Sequence, residues 1–136
     1  SQGGGLALIL TGLNPKITAL ISRVPALCDH GGILAERSSG WPRLVRRRPK
    51  NADAEEYVSM AAYYDAALFA RSIKVPVLVE VGFIDKICAP SSVYAAYNEI
   101  QAPKTMIHGV DLGHFGSTKA FKTQKEQRIK EALTAR

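Results

Sequence analysis

Apolar residues fall in blocks along this chain, and their spacing alternates between helical and strand-like. Residues 5–13, GLALILTGL, are apolar on nearly every side, as in a helix packed between a sheet and its neighbours. Asn14-Pro15 ends that block. Residues 17–25, ITALISRVP, read as a short strand. Residues 28–54 show no period and carry Gly31, Gly32, Gly40, Pro42 and Pro49, which predicts loops and short helices. Residues 54–73 read as a helix, with Asp53 or Asp65 as N-cap. Residues 75–85, VPVLVEVGFID, form the clearest strand, and their near-continuous branched content suits a strand covered on both faces. A helix over 90–100, a strand over 104–110 and a terminal helix over 117–133 follow. In the last, Phe121, Ile129, Ala132 and Leu133 can share one face, with lysines opposite. No internal repeat is visible. The alternation predicts an α/β fold, a mostly parallel sheet flanked by helices, with right-handed crossovers.

Composition narrows the class. The 136 residues fit one domain, and 46% hydrophobic with 22% charged residues is a globular balance. The longest apolar runs fall far short of the ~20 residues that span a bilayer, so no membrane association is expected. No charged leader precedes a hydrophobic stretch, so no secretion signal is visible. The net charge of +6 sits largely in RLVRRRPK, residues 43–50, and in the last helix. That run lacks interleaved aromatics and matches no nucleic-acid motif, so it reads as a solvated or partner-facing surface. Cys28 and Cys88 have no metal-ligand spacing and form no Cys-x-x-Cys. They read as two buried thiols, which suits a reducing, cytoplasmic compartment.

Three positions carry chemistry. Ser1-Gln2-Gly3 matches the second half of Gly-x-Ser-x-Gly, the turn that exposes a nucleophilic serine between a strand and a helix. The flanking glycines are expected where a Cβ would strike neighbouring backbone. Asp85 ends the strongest strand, and His114 lies in a glycine-flanked loop, DLGHFG, after the next one. Ser, Asp, His is the chain order of α/β-hydrolases. A hydroxyl is a weak nucleophile until a histidine takes its proton, and a carboxylate must hold that histidine in one tautomer. The carboxyl ends of parallel strands bring such distant residues together.

Each residue has a plainer reading. Ser1 alone also reads as a helix N-cap, and Asp85 as the cap of a turn after a strand. His108 falls inside a predicted strand and reads as a packed core histidine. His30 lies on a loop within reach of the site, and nothing marks it as a base. Order and placement together favour the triad.

The segments SQGGGLAL, VPALCD, YYDAALFARSIKVPVLVEVGFIDKICAPSSVYAAYN and the Gly-His of DLGHF resemble the acetyl xylan esterase/cephalosporin-C deacetylase family, carbohydrate esterase family 7. The resemblance is most specific over residues 63–98 and weakest over 31–53. It implies Ser1 as nucleophile, Asp85 and His114 as its partners, and the Gln2 backbone N–H as one oxyanion donor. The other donor belongs to an N-terminal loop outside these residues. Where the family usually has Pro-Phe-Leu and Gly-His-Glu, this chain has Pro25-Ala26-Leu27 and Gly113-His114-Phe115. Pro25, Ala26 and Phe115 are therefore the expected pocket residues.

The resemblance implies a serine esterase removing acetyl or other short acyl groups from sugar or related alcohol esters. It implies no metal and no organic cofactor, a small-molecule or oligosaccharide acetyl ester as substrate, and a homo-oligomer. No nucleic-acid partner is expected. A serine peptidase of prolyl-oligopeptidase type uses the same order, and a non-catalytic binding or assembly fragment is the reading from another class. Residues 1–136 are expected to be one partial domain, the C-terminal part of an α/β-hydrolase domain. Its N-terminal strands would lie elsewhere, and the 136 residues by themselves would be inactive.

Overall fold

In the computed structural model, residues 1–134 are described and form a three-stranded parallel sheet with helices packed on it. Helix α1 (Gln2–Leu13) leads into β1 (Leu20–Arg23), and an irregular stretch with short turns at His30–Ala35 and Val45–Arg47 follows. Then come α2 (Ala54–Ala61), α3 (Ala66–Ala70), β2 (Val77–Gly82), α4 (Pro90–Glu99), β3 (Lys104–Gly109) and α5 (Lys119–Thr134). The strand order is β1-β2-β3, with Leu20 opposite Val77 and Val77 opposite Lys104. β2 is central and buried at every position, as its branched residues predict.

The main core joins Leu8 of α1, Ala66, Ala67 and Ala70 of α3, Val77, Val79 and Val81 of β2, and Val93 and Ala96 of α4. Small residues let α1 lie close. A Cβ on Gly5 would overlap the Ala26 carbonyl, so only glycine allows the first turn of α1 to rest on the chain leaving β1. Gly3, where the serine-turn pattern predicts such a collision, would meet nothing within 4 Å. The close approach falls at Gly4 and Gly5 instead, because those positions of the helix face β1 and its continuation.

The structure changes several expectations. The helix expected over 54–73 is broken by a turn at Ala62–Tyr64, and both candidate caps are used. Asp53 accepts from the Glu56 N–H, and Asp65 accepts from the Ala67 N–H. Asp65 also accepts from the N–H groups of Asp29 and His30, so its buried carboxylate competes with helical backbone and stops the first helix. His108 is exposed, not a core residue. β3 is an edge strand, and the ring lies outside it with Nε2 2.9 Å from the Tyr94 hydroxyl. On α5, Phe121 is buried, whereas Ile129 and Leu133 are 44% and 67% exposed, so the side turned to the sheet runs through Phe121 and Arg128, whose Nη2 donates to Thr105 Oγ1 of β3 at 3.0 Å. α1 is likewise apolar beyond its buried side, with Leu6, Leu10 and Leu13 exposed. Of the basic run, Arg43 and Arg48 bind backbone carbonyls of Lys86, Val45 and Ala52, while Arg46 and Arg47 are exposed.

Candidate active site

The carboxyl ends of the strands converge on one edge of the sheet, and all three triad candidates lie there. After β2 the chain turns through Phe83 and Ile84 to Asp85, whose side chain is fully buried. Its Oδ1 accepts from the N–H groups of Ile87 and Cys88 at 2.8 and 2.9 Å. Its Oδ2 is 2.9 Å from His114 Nδ1. The turn-capping role and the histidine-orienting role are thus held by different oxygens of one carboxylate. The His114 side chain is 11% exposed, so the pair is largely withdrawn from water.

Gly82 makes that meeting possible. A Cβ there would stand 2.6 and 2.7 Å from the carbonyls of Leu112 and Gly113, which carry the histidine loop across the strand end. Two further residues fasten the loop. Arg23, at the end of β1, donates from Nη1 to the carbonyls of His114 and Gly116 at 3.1 and 2.6 Å. Glu80, buried in the middle of β2, accepts from Ser117 Oγ, Thr118 N and Thr118 Oγ1, each at 2.8 Å.

Ser1 stands at the N-cap position of α1, yet its side chain makes no cap hydrogen bond. The hydroxyl lies 3.7 Å from Cys88 Sγ, and its backbone carbonyl accepts from Gly5 and Ala26. Among the described residues the Ser1 hydroxyl has no hydrogen bond to His114. Gln2 begins the first turn of the helix, where N–H groups lack intrahelical partners, and is exposed. Pro25 and Ala26 are buried, with Ala26 packed among Val24, Cys88 and Trp41 directly behind the serine turn. Phe115 is 81% exposed and meets the His114 ring edge-on, with centroids 5.3 Å apart. His30 is elsewhere, on the irregular stretch, fully buried with neither ring nitrogen hydrogen-bonded.

Three residues of this region escaped the sequence reading. Cys88 was expected only as a buried thiol, and it is one, but it also touches Ser1. Arg23 had no visible signal. Glu80 had one: a lone carboxylate inside the apolar run VLVEV has to find buried donors.

A parallel sheet with helices packed on it, and Ser1, Asp85 and His114 at its carboxyl edge, define an α/β-hydrolase architecture. Comparison with known proteins narrows this. The family model Acetyl xylan esterase (AXE1) matches residues 1–132, and the chain belongs to that family. Acetyl esterase Axe7A of Xylanibacter ruminicola is 43% identical over 104 residues, covering 76% of this chain and 23% of the relative. The crystal structure of acetyl xylan esterase 1 from Thermoanaerobacterium sp. JW/SL YS485 superimposes with a TM-score of 0.84 at 30% identity, covering 97% of this chain and 43% of that one. Acetyl xylan esterase from Paenibacillus sp. R4 gives 0.79 at 31% identity with the same coverage. The chain thus spans less than half the length of these relatives. Among the described residues, no helix is long and apolar enough to cross a membrane.

Proposed function

We propose that this chain carries the Ser1–His114–Asp85 triad of a serine esterase that removes acetyl or other short acyl groups from sugar or related alcohol esters. The observation that carries the proposal is the His114 Nδ1–Asp85 Oδ2 hydrogen bond at 2.9 Å around a fully buried carboxylate. With Nδ1 engaged, Nε2 is the nitrogen left for the serine proton. The Ser1 hydroxyl is free of a capping role, which leaves it available as a nucleophile.

Ser1 Oγ attacks the ester carbonyl while His114 takes its proton. Asp85 holds the imidazole in one tautomer and stabilises the cation that forms. The negative charge on the carbonyl oxygen falls beside the N-terminus of α1, where the Gln2 N–H and the helix dipole both favour an anion. His114 then returns the proton to the departing alcohol, and water repeats the sequence to release acetate. Ala26 in place of a bulkier side chain, and the exposed ring of Phe115, are the features expected to tune acyl and alcohol preference.

The test is hydrolysis of a chromogenic acetate ester by the whole protein that contains this chain. Ser1→Ala and His114→Ala are each expected to lower kcat by several powers of ten, because the residues act as a unit. Activity within a few-fold of the parent would remove the assignment. Acyl-length profiling separates the deacetylase from a peptidase: preference for peptide bonds over acetate esters would favour the latter. The homo-oligomer implied by the resemblance is tested by light scattering. The cytoplasmic reading, supported by two free buried thiols, is tested by cell fractionation.

A further inference from the structure

We propose that Asp85, Cys88 and His114 form a binding site for a thiophilic divalent cation of the zinc or cadmium type, and that filling it switches off the triad. One donor atom from each residue lies within 4.8 Å of the other two. Asp85 and Cys88 are buried and His114 nearly so. A thiolate, an imidazole and a carboxylate are the donors such cations take, commonly three from protein with a fourth place left open. Magnesium and calcium are excluded by the donor set, since they require an oxygen cage and only Asp85 supplies a carboxylate here.

The backbone holds the donors in place before any cation arrives. Asp85 Oδ1 is pinned by two N–H groups, one of them belonging to Cys88, so thiol and carboxylate share one turn. The His114 loop is fastened by Arg23 and, beyond it, by Glu80. Ser1 Oγ stands 3.7 Å from Cys88 Sγ. Sulfur and oxygen bound to one tetrahedral zinc lie roughly 3.5 Å apart, so the hydroxyl, or a water beside it, suits the open place. On binding, the Cys88 thiol proton leaves to solvent and the His114 proton passes from Nδ1 to Nε2, so that Nδ1, 2.9 Å from Asp85 Oδ2, ligates the cation while Nε2 can no longer accept the serine proton.

The site itself stands without the esterase reading; only the switching effect rests on it. The experiment titrates the whole protein with Cd²⁺ and follows the ultraviolet thiolate-to-cadmium band. One equivalent is expected to raise the band, Zn²⁺ to displace it and Mg²⁺ to leave it unchanged. Cys88→Ser, a near-isosteric change, should abolish it. His114→Ala should weaken Kd by at least the roughly 10–100-fold that loss of an outer partner costs. Cys28→Ala should leave it unchanged, since Cys28 Sγ donates to the Ala26 carbonyl and takes no part. No band, or an equal band in Cys88→Ser, would overturn the site. A band with acetate-ester turnover undiminished would overturn the switching effect and leave the site standing.

Discussion

Glu80 offers a direct test of how the core reaches the active site. Its carboxylate is 1% exposed in the central strand and accepts three hydrogen bonds at 2.8 Å, all from Ser117 and Thr118. Those residues join the His114 loop to α5, whose first turn Thr118 caps through the Phe121 N–H. Glu80→Ala removes every acceptor at once. The two hydroxyls can rotate toward other partners, but the Thr118 N–H cannot, and a buried orphan donor costs about 1–3 kcal/mol. The vacated side-chain volume adds about 1–2 kcal/mol. A total near 2–5 kcal/mol follows, in the range seen when one partner of a buried charged network is removed. Glu80→Gln keeps an oxygen for Thr118 and turns an amide toward Ser117, whose hydroxyl can accept, so a loss near 1 kcal/mol is expected. Urea unfolding of both variants gives the stabilities, and acetate-ester kinetics at a temperature where both stay folded gives the effect on the loop. Ala should lower kcat more than Gln, with KM changing less. If Glu80→Ala lost under 1 kcal/mol, or its folded form kept parental kcat, the buried carboxylate would not be what holds the histidine loop.

Gly82→Ala should lower kcat by tenfold or more, because its Cβ would press on the Leu112 and Gly113 carbonyls at 2.6 and 2.7 Å and part His114 from Asp85. Kinetics on the folded variant checks this, and parental kcat would sink the argument. Burial lowers the His30 pKa below its ordinary 6.5, so the unfolded chain binds this proton more readily than the native one. Its contribution to stability is therefore complete above about pH 6.5 and is lost as pH falls from there toward the lowered native value. His30→Leu, which removes two unpartnered ring nitrogens, should flatten the fall of Tm between neutral and mildly acid pH. An unchanged acid slope would show that His30 is not its source.

Much of this protein was legible along the chain. The near-continuous branched run at 77–81, broken by Glu80 alone, read as a strand buried on both faces, and alternation with helices predicted parallel pairing. The order Ser, Asp, His placed candidate chemistry at strand ends, and Asp85 and His114 do meet there. Local pattern also found both aspartate caps, though not that Asp65 would break the helix it sits in. That outcome depends on Asp29 and His30, 36 and 35 residues earlier in the chain, whose N–H groups claim the same carboxylate. His108 was misjudged for a related reason: strand propensity says nothing about whether a strand lies centrally or at an edge, and β3 is at an edge. The small residues after Ser1 were visible as a run, but which of them face a carbonyl follows from how α1 crosses the exit of β1. Periodicity records which side of an element is apolar. Only the packed chain decides what stands opposite, and so only the tertiary structure could set Cys88 beside Ser1, Arg23 beneath the His114 loop and Glu80 under the start of α5.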